Sequence, residues 1–293
     1  MANLRDIKKR INSVKSTKQI THTMEMVSSA KIRKATERVQ ASTPYYKAMQ
    51  RMLANLTDGV TDSEQGLLKT HEEVKNVTLI VIVSDRGLAG AFNTSVLHEA
   101  NNLRKKYLSE GVEVEIIIAG KKGIPYFKYR EVLPSLVYSD QSADPTIDEA
   151  REISAHVRDA YQKLETDKVI LLYNHARNAA DQDLTVEQVL PVDVDSIEKE
   201  EKESKFAADI EFDPSSQAVL ENLLPDYVDT KIYHGLVDSA AAEQGARRRA
   251  MKSATDNASD IITTLQRQYN SARQAAITTE INEIVGGAAA LED

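Results

Sequence analysis

DYVDTKIYHGLVDSAAAEQGARRRAMKSATDNASDIITTLQRQYNSARQAAITTEINEIV occupies residues 226–285 and contains no proline and only two glycines, Gly235 and Gly245. Gly and Pro are the residues that cost most inside a helix, so their near-absence predicts one long helix. Within it Ala258, Ile262, Leu265, Tyr269, Ala272 and Ala276 recur at alternating steps of four and three. That is the spacing of a left-handed coiled coil. At 1.5 Å per residue this helix is roughly 90 Å long. A compact chain of 293 residues has a radius of gyration near ~19 Å and so a diameter of about 50 Å. Much of the helix must therefore extend past its own domain, and its apolar row needs a partner. The alternative, two ordinary amphipathic helices on a globular core, leaves that length unaccommodated.

The partner is at the other end of the chain. No Pro or Gly precedes Pro44. Leu4, Ile7, Ile11 and Val14 step by three, four and three, and Ile20, Met24, Val27 and Lys31 continue on a slightly rotated stripe. Two terminal helices leaving one middle domain pair antiparallel. The C-terminal one is longer, so its last ~10–20 residues are expected to run on alone. Several seam positions are Ala, Ser or Thr, which bury less area than Leu. Such a slender seam is expected to sit inside something larger. Charge is uneven: residues 1–40 carry ten basic and three acidic side chains, so of a net −8 they hold +7 and the remainder −15. A basic arm of this kind suits an acidic partner.

The middle alternates strand and helix. Val77–Ser84 is rich in β-branched residues and predicts a strand, followed by a helix over Phe92–Ser109, a strand over Val112–Ala119, a helix over Ile147–Leu164 and a strand over Lys168–Tyr173. A fourth strand is expected over Leu184–Leu190. This order implies a partly parallel sheet with crossovers. Asp193–Lys205, with six acids and three lysines, predicts an exposed loop. Pro225 suggests a kink or a new helix start.

Chemistry is sparse. No cysteine is present, which removes disulfides, thiolate ligands and a Cys nucleophile. The longest apolar run, Leu79–Val83, is far short of the ~20 residues that cross a bilayer, and the start, MANLRDIKKR, lacks a secretory signal. The turn Ser84-Asp85-Arg86-Gly87-Leu88-Ala89-Gly90 sits between strand and helix, where phosphate loops occur, and Arg86 is the residue there that would meet a phosphate. It matches neither GxGxxG nor GxxxxGKS. None of the six His has a short metal-ligand spacing, and no GxSxG elbow occurs. Glu280 and Glu283 share a helix face and are expected to accept hydrogen bonds from a partner. A nucleic-acid arm is disfavoured because aromatics are not interleaved with the basic residues. A nucleotide-using α/β enzyme and a free-standing coiled-coil adaptor remain as rival readings, separable by ATP or NAD binding and by what the chain co-purifies with. No cofactor or metal is expected.

Particular blocks resemble a known family. Ile20-Thr21-His22-Thr23-Met24-Glu25-Met26-Val27-Ser28-Ser29-Ala30-Lys31 resembles the N-terminal helix of the ATP synthase gamma subunit, and Ser84–Asn93 resembles the first turn of its central domain. Ala246–Asn257 and Tyr269–Ala290, with the pattern I-T-x-E-x-x-E, are similar to its C-terminal helix. The resemblance implies an α/β fold with a long antiparallel coiled coil, in which N- and C-terminal helices form a shaft and an inserted Rossmann-like α/β domain forms the foot. Residues 1–58 are the expected N-terminal helix, 70–192 the central domain, 193–213 the charged loop and 214–290 the C-terminal helix. It implies a non-catalytic rotor shaft of the proton-translocating ATP synthase, with three alpha and three beta subunits, the epsilon subunit and the c-subunit ring as partners. By the same resemblance Met24 faces the acidic lever loop of beta, and Arg247, Arg273, Gln274, Thr278 and Glu280 match positions of shaft–beta contact or coupling. Gly287, Ala288 and Ala289 fall at a bearing tip, and Phe206 and Glu211 are the candidates for c-ring or epsilon contact. Ala89 stands where relatives often carry Cys, and no long Cys-bearing insert follows the third strand. A bacterial source is expected, with the chain peripheral on the cytoplasmic side of the cell membrane.

Overall fold

A computed structural model describes residues 4–57, 66–71, 73–140, 142–179, 181–193 and 215–292. The chain divides into two compact units, Met1–Ser28 with Arg248–Asp293, and Ser29–Arg247. Helices α1 (Leu4–Thr57) and α5 (Ser216–Glu292) contribute to both.

In the first unit the two ends of the chain pair. Ile7, Ile11 and Leu265 form a buried cluster, with Val14, Tyr269 and Ala272 packed on it. Further along, the Thr21 and Thr255 hydroxyls meet at 2.7 Å. Ten residues back from Thr21 is Ile11, and ten residues on from Thr255 is Leu265, so the helices run antiparallel. The buried row on α5, Met251, Thr255, Ala258 and Leu265 with Ile262, Tyr269, Ala272 and Ala276 half-buried, keeps the four–three spacing read from the sequence. On α1 the sequence reading needs correction. Ile20 and Val27 are exposed, and the buried positions are Thr21 and Ser28. The strict repeat from Ile7 and Ile11 through Val14 leads to Thr21 and Ser28. The apolar residues one place earlier drew the expected stripe onto the wrong face. The hydroxyls are tolerable in the seam because each is satisfied: one donates across to the other, which donates in turn to a carbonyl of its own helix, Lys18 for Thr21 or Met251 for Thr255. All described side chains from Ile277 to Val285 are exposed, as an unpaired helix end requires.

In the second unit a five-stranded sheet has the order β3-β2-β1-β4-β5, built from β1 (Asn76–Ile82), β2 (Glu113–Ala119), β3 (Leu136–Tyr138), β4 (Lys168–His175) and β5 (Asp183–Leu190). The first four are parallel, and β5 returns antiparallel to β4. Strand side chains alternate between two cores. Val77, Leu79 and Val81 with Ile116 and Ile118 face Val96, Leu97 and Ala100 of α2 (Phe92–Ser109) and Phe127 of α3 (Gly123–Lys128). Ile80, Ile82 and Leu171 face Ile153 and Val157 of α4 (Ile147–Gln162), Leu53 and Leu56 of α1, and Tyr227 to Leu236 of α5. Burial on both faces explains the near-continuous apolar strands. Gly235 lets α5 lie close: a Cβ there would stand 2.8 Å from Leu171 Cδ2.

Two expectations change, and two short elements had drawn none. Pro225 does not begin a helix, because α5 starts at Ser216 and contains it; buried Leu223, Leu224, Tyr227 and Val228 hold that stretch in the core against the roughly 3 kcal/mol that an internal proline costs. α3 and β3 carry no periodic signal because they are one or two turns and three residues long. β1 ends at Ile82 rather than Ser84, because the Ser84 amide donates instead to Asn93 Oδ1 at 2.8 Å. The charged loop lies outside the described residues from 194 onward.

At the start of β4, Asp167 accepts the backbone N–H groups of Lys75 and Asn76, each at 2.8 Å, and meets His71 Nδ1 at 2.7 Å. Burial opposes its charge, but those donors hold its carboxyl below the usual range. A depressed folded-state value gives stability that is present above the unfolded value of about 3.9 and lost as pH falls through the folded one. Urea midpoints are therefore expected to drop below about pH 4, and to drop less in Asp167→Asn than in the parent chain.

Candidate functional site

Doubly wound sheets bind ligands beyond the carboxyl ends of their strands, where the strand order reverses. Here the order reverses between β1 and β4, and the chain's own helix α5 occupies that position. Asp238, almost fully buried, meets His175 Nδ1 at 2.6 Å and accepts the Ala176 N–H at 3.1 Å. Ala242 and Ala246 pack on Ala89 and Phe92. Arg247 pairs with Glu243 at 2.6 Å and donates to the carbonyls of Arg86 and Gly87, each at 3.4 Å. Burial pushes the Glu243 carboxyl up, against the Arg247 guanidinium that favours its charged form.

The turn after β1 is also internally engaged. Ser84 Oγ donates to the Arg86 carbonyl at 2.6 Å. The Asp85 carboxylate accepts the Lys121 N–H at 2.9 Å and the Ser142 N–H at 3.0 Å. Burial opposes charge on Asp85, but these donors hold its carboxyl below the usual range. An anion-binding turn offers its amides to phosphate; this one places a carboxylate among them. Among the described residues no group of three metal-ligating side chains occurs.

The terminal helices carry apolar rows open to solvent. Ile277, Ile281 and Ile284 follow one face of α5 at steps of four and three, exposed by 46%, 53% and 71%, with Val285 beside them. Ile20, Met26 and Val27 are exposed on α1. Contiguous exposed apolar rows of this kind mark interaction surfaces. The sequence held the signal for the α5 row, a four–three repeat displaced from the seam, but the seam's own repeat masked it.

The residues singled out from the sequence fall into three groups. Arg273, Gln274, Thr278 and Glu280 are exposed on the same helix end; Thr278 Oγ1 donates to the Gln274 carbonyl at 2.9 Å. Met24 is half-buried, and Arg247 is 8% exposed and engaged as described. Gly287 has open space around it. The side chains of Ala288 and Ala289, and all of Phe206 and Glu211, lie outside what the structure describes.

Paired chain ends, a doubly wound domain whose ligand crevice is filled by the chain's own helix, and apolar rows left bare together define a docking framework. A family profile described as ATP synthase matches residues 3–291. The chain is 42% identical to the ATP synthase gamma chain of Heliobacterium modesticaldum over 99% of its length and 100% of that relative. It is 39% identical to that of Chlorobium phaeobacteroides over 100% and 99%. Among solved structures, a rotor chain of the Euglena gracilis mitochondrial ATP synthase aligns with TM-score 0.62 at 20% identity, covering 94% of this chain and 98% of that one. A central stalk/c-ring chain of the Tetrahymena thermophila enzyme gives 0.59 at 24%, covering 80% and 99%. The chain belongs to the ATP synthase gamma chain family.

Proposed function

We propose that this chain is the central rotor shaft of a bacterial proton-translocating ATP synthase, coupling rotation of the c-subunit ring to conformational change in the catalytic beta subunits while doing no chemistry itself. The observation that carries this is the bare row Ile277, Ile281 and Ile284 on the unpaired end of α5, flanked by Arg273, Gln274, Thr278 and Glu280. A contiguous row of exposed isoleucines marks a surface that docks against a partner, and a sleeve of three alpha with three beta subunits supplies one. The basic face of α1 complements an acidic loop of beta opposite Met24, since charge complementarity fixes register without deep pockets. Arg247 acts on this interface by positioning, through its hold on Glu243 and the β1 turn. Gly287, Ala288 and Ala289 form a bearing: small side chains offer no anchor by which one rotor angle is gripped. The epsilon subunit and the c ring bind elsewhere, with Phe206 and Glu211 the c-ring candidates. The chain is peripheral at the cytoplasmic side of the cell membrane; no described helix is long and apolar enough to cross one.

Affinity capture of the tagged chain from solubilised membranes tests the reading: alpha, beta, epsilon and the c ring are expected together, and recovery of the chain alone overturns it. Within that complex, Arg273→Ala combined with Glu280→Ala is expected to lower ATP synthesis about tenfold, the equivalent of 1.4 kcal/mol, with assembly intact. Tryptophan at both Ala288 and Ala289 is expected to slow single-molecule rotation; unchanged speed contradicts the bearing role.

A further inference from the structure

Glu149 has one carboxylate oxygen explained and one not. Thr146-Ile147-Asp148-Glu149 is a capping box at the start of α4. The Thr146 hydroxyl accepts the Glu149 N–H, and the Glu149 carboxylate accepts the Thr146 N–H in return. The second oxygen, Oε2, is buried with no hydrogen-bond partner among the described residues, and the residue is 6% exposed. It faces a cavity with about 10 Å³ available to a water-sized sphere, lined by Val83 and Gly120 at the strand ends, Ser142, and Ser239 and Glu243 of α5. That is room for one water, which needs two to four polar partners. A buried carboxylate oxygen left bare is costly, so the cavity and the orphan oxygen point to the same occupant.

We propose that Glu149 and this cavity form a proton-and-water site, in which a single water links Oε2 to Ser142 and Glu243, which line the cavity and hydrogen-bond to each other, and a protonated Glu149 donates to it. The charged groups around it favour the proton. Asp85 approaches from the β1 turn and Glu152 from α4 itself; Glu243 on α5 is paired with Arg247 and adds no such push. Lys121, the cation on the β2 side, is taken by Asp140 at 2.5 Å. Burial first, then Asp85, raises the Glu149 carboxyl to about 7. The water would join three elements, α4, α5 and the loop carrying Ser142, through one titrating group.

Infrared difference spectroscopy on the full chain between about pH 5 and about pH 9 tests this, because a raised carboxyl keeps its proton where ordinary ones have lost theirs. A buried carboxylic-acid carbonyl band is expected, lost with a midpoint near 7 and absent in Glu149→Gln. Glutamine still completes a capping box, so this variant keeps the start of the helix. Ser142→Ala leaves the box untouched and is expected to shift the same band by removing a partner of the water. A high-resolution crystal structure is expected to show one water at hydrogen-bond distance from the Glu149 carboxyl. A band with a midpoint near 7 that survives Glu149→Gln, no such band at any pH, one unmoved by Ser142→Ala, or a dry cavity each overturns the proposal.

Discussion

Gly120→Ala is expected to unfold the Ser29–Arg247 unit or bring it to the edge of unfolding. Gly120 has φ +117°, a conformation L residues rarely adopt, and a Cβ there would overlap the Val83 carbonyl well inside van der Waals contact. Neither side can yield cheaply. The Gly120 N–H donates to the Tyr138 carbonyl at 2.7 Å, and the Val83 N–H donates to the Ala119 carbonyl at 2.8 Å. The glycine therefore sits where β1, β2 and β3 are tied at their carboxyl ends. Backbone strain of this kind costs roughly 1–3 kcal/mol. Forcing two central strands apart adds to it, for a total of about 4 kcal/mol or more. Typical domains hold about 5–15 kcal/mol in all. Gly111→Ala isolates the first component: its φ is +81°, with no heavy atom within 4 Å of the added Cβ, so a loss of about 1 kcal/mol is expected there. Urea midpoints of the two variants decide the matter, and equal losses would refute the steric account.

This glycine also marks where the sequence stops being informative. Residues 113–119 identify themselves as a strand by composition, and Phe92–Ser109 as a helix to the residue. Nothing local states that the turn after β2 must pass against Val83, because that contact is made with a strand 37 residues earlier. Local pattern likewise fixed the long helices but misplaced the seam on α1. Ile20 and Val27 are more apolar than Thr21 and Ser28, so hydrophobicity pointed one way and the strict heptad the other. The structure follows the heptad, and the rejected isoleucine and valine become exposed surface.

The candidate site was legible in a similar, uneven way. Exposure of Arg273, Gln274, Thr278 and Glu280 follows from their displacement off the seam repeat. The burial of Arg247 does not follow from its neighbours: ARRR reads as solvated charge, and although Glu243 lies one helical turn before it, only the fold brings the carbonyls of Arg86 and Gly87 to the first of the three arginines. Glu149 is the converse. Its capping box is readable from four residues, whereas the cavity behind its second oxygen is assembled from both central strand ends, a loop and α5.

Leu265→Asp is expected to abolish the pairing of the chain ends while leaving the sheet-bearing unit folded. Among the described residues of the paired unit, Ile7, Ile11 and Leu265 form the buried apolar cluster, and the other buried positions are Thr21, Ser28, Met251, Thr255 and Ala258. Truncating a buried leucine costs about 2–5 kcal/mol, and an unpaired carboxylate in the seam adds its desolvation. The remaining seam contacts, mostly small hydroxyls and methyls, offset little of that loss, since burial scales with apolar area at roughly 25 cal/mol per Å². The sheet unit has two cores of its own that contain none of these residues, so its urea transition is expected to be unchanged. Distances between spin labels at Lys8 and Arg267, both exposed, would report the separation directly. Ile281→Asp is the matched comparison: Ile281 is 53% exposed, so the free chain is expected to keep its pairing and lose only association with alpha and beta. If torque travels along paired helices, Leu265→Asp leaves ATP hydrolysis running but uncoupled from ion transport. Coupled synthesis that survives in Leu265→Asp, with the spin labels apart, would mean that a single helix transmits torque and that the seam serves only folding.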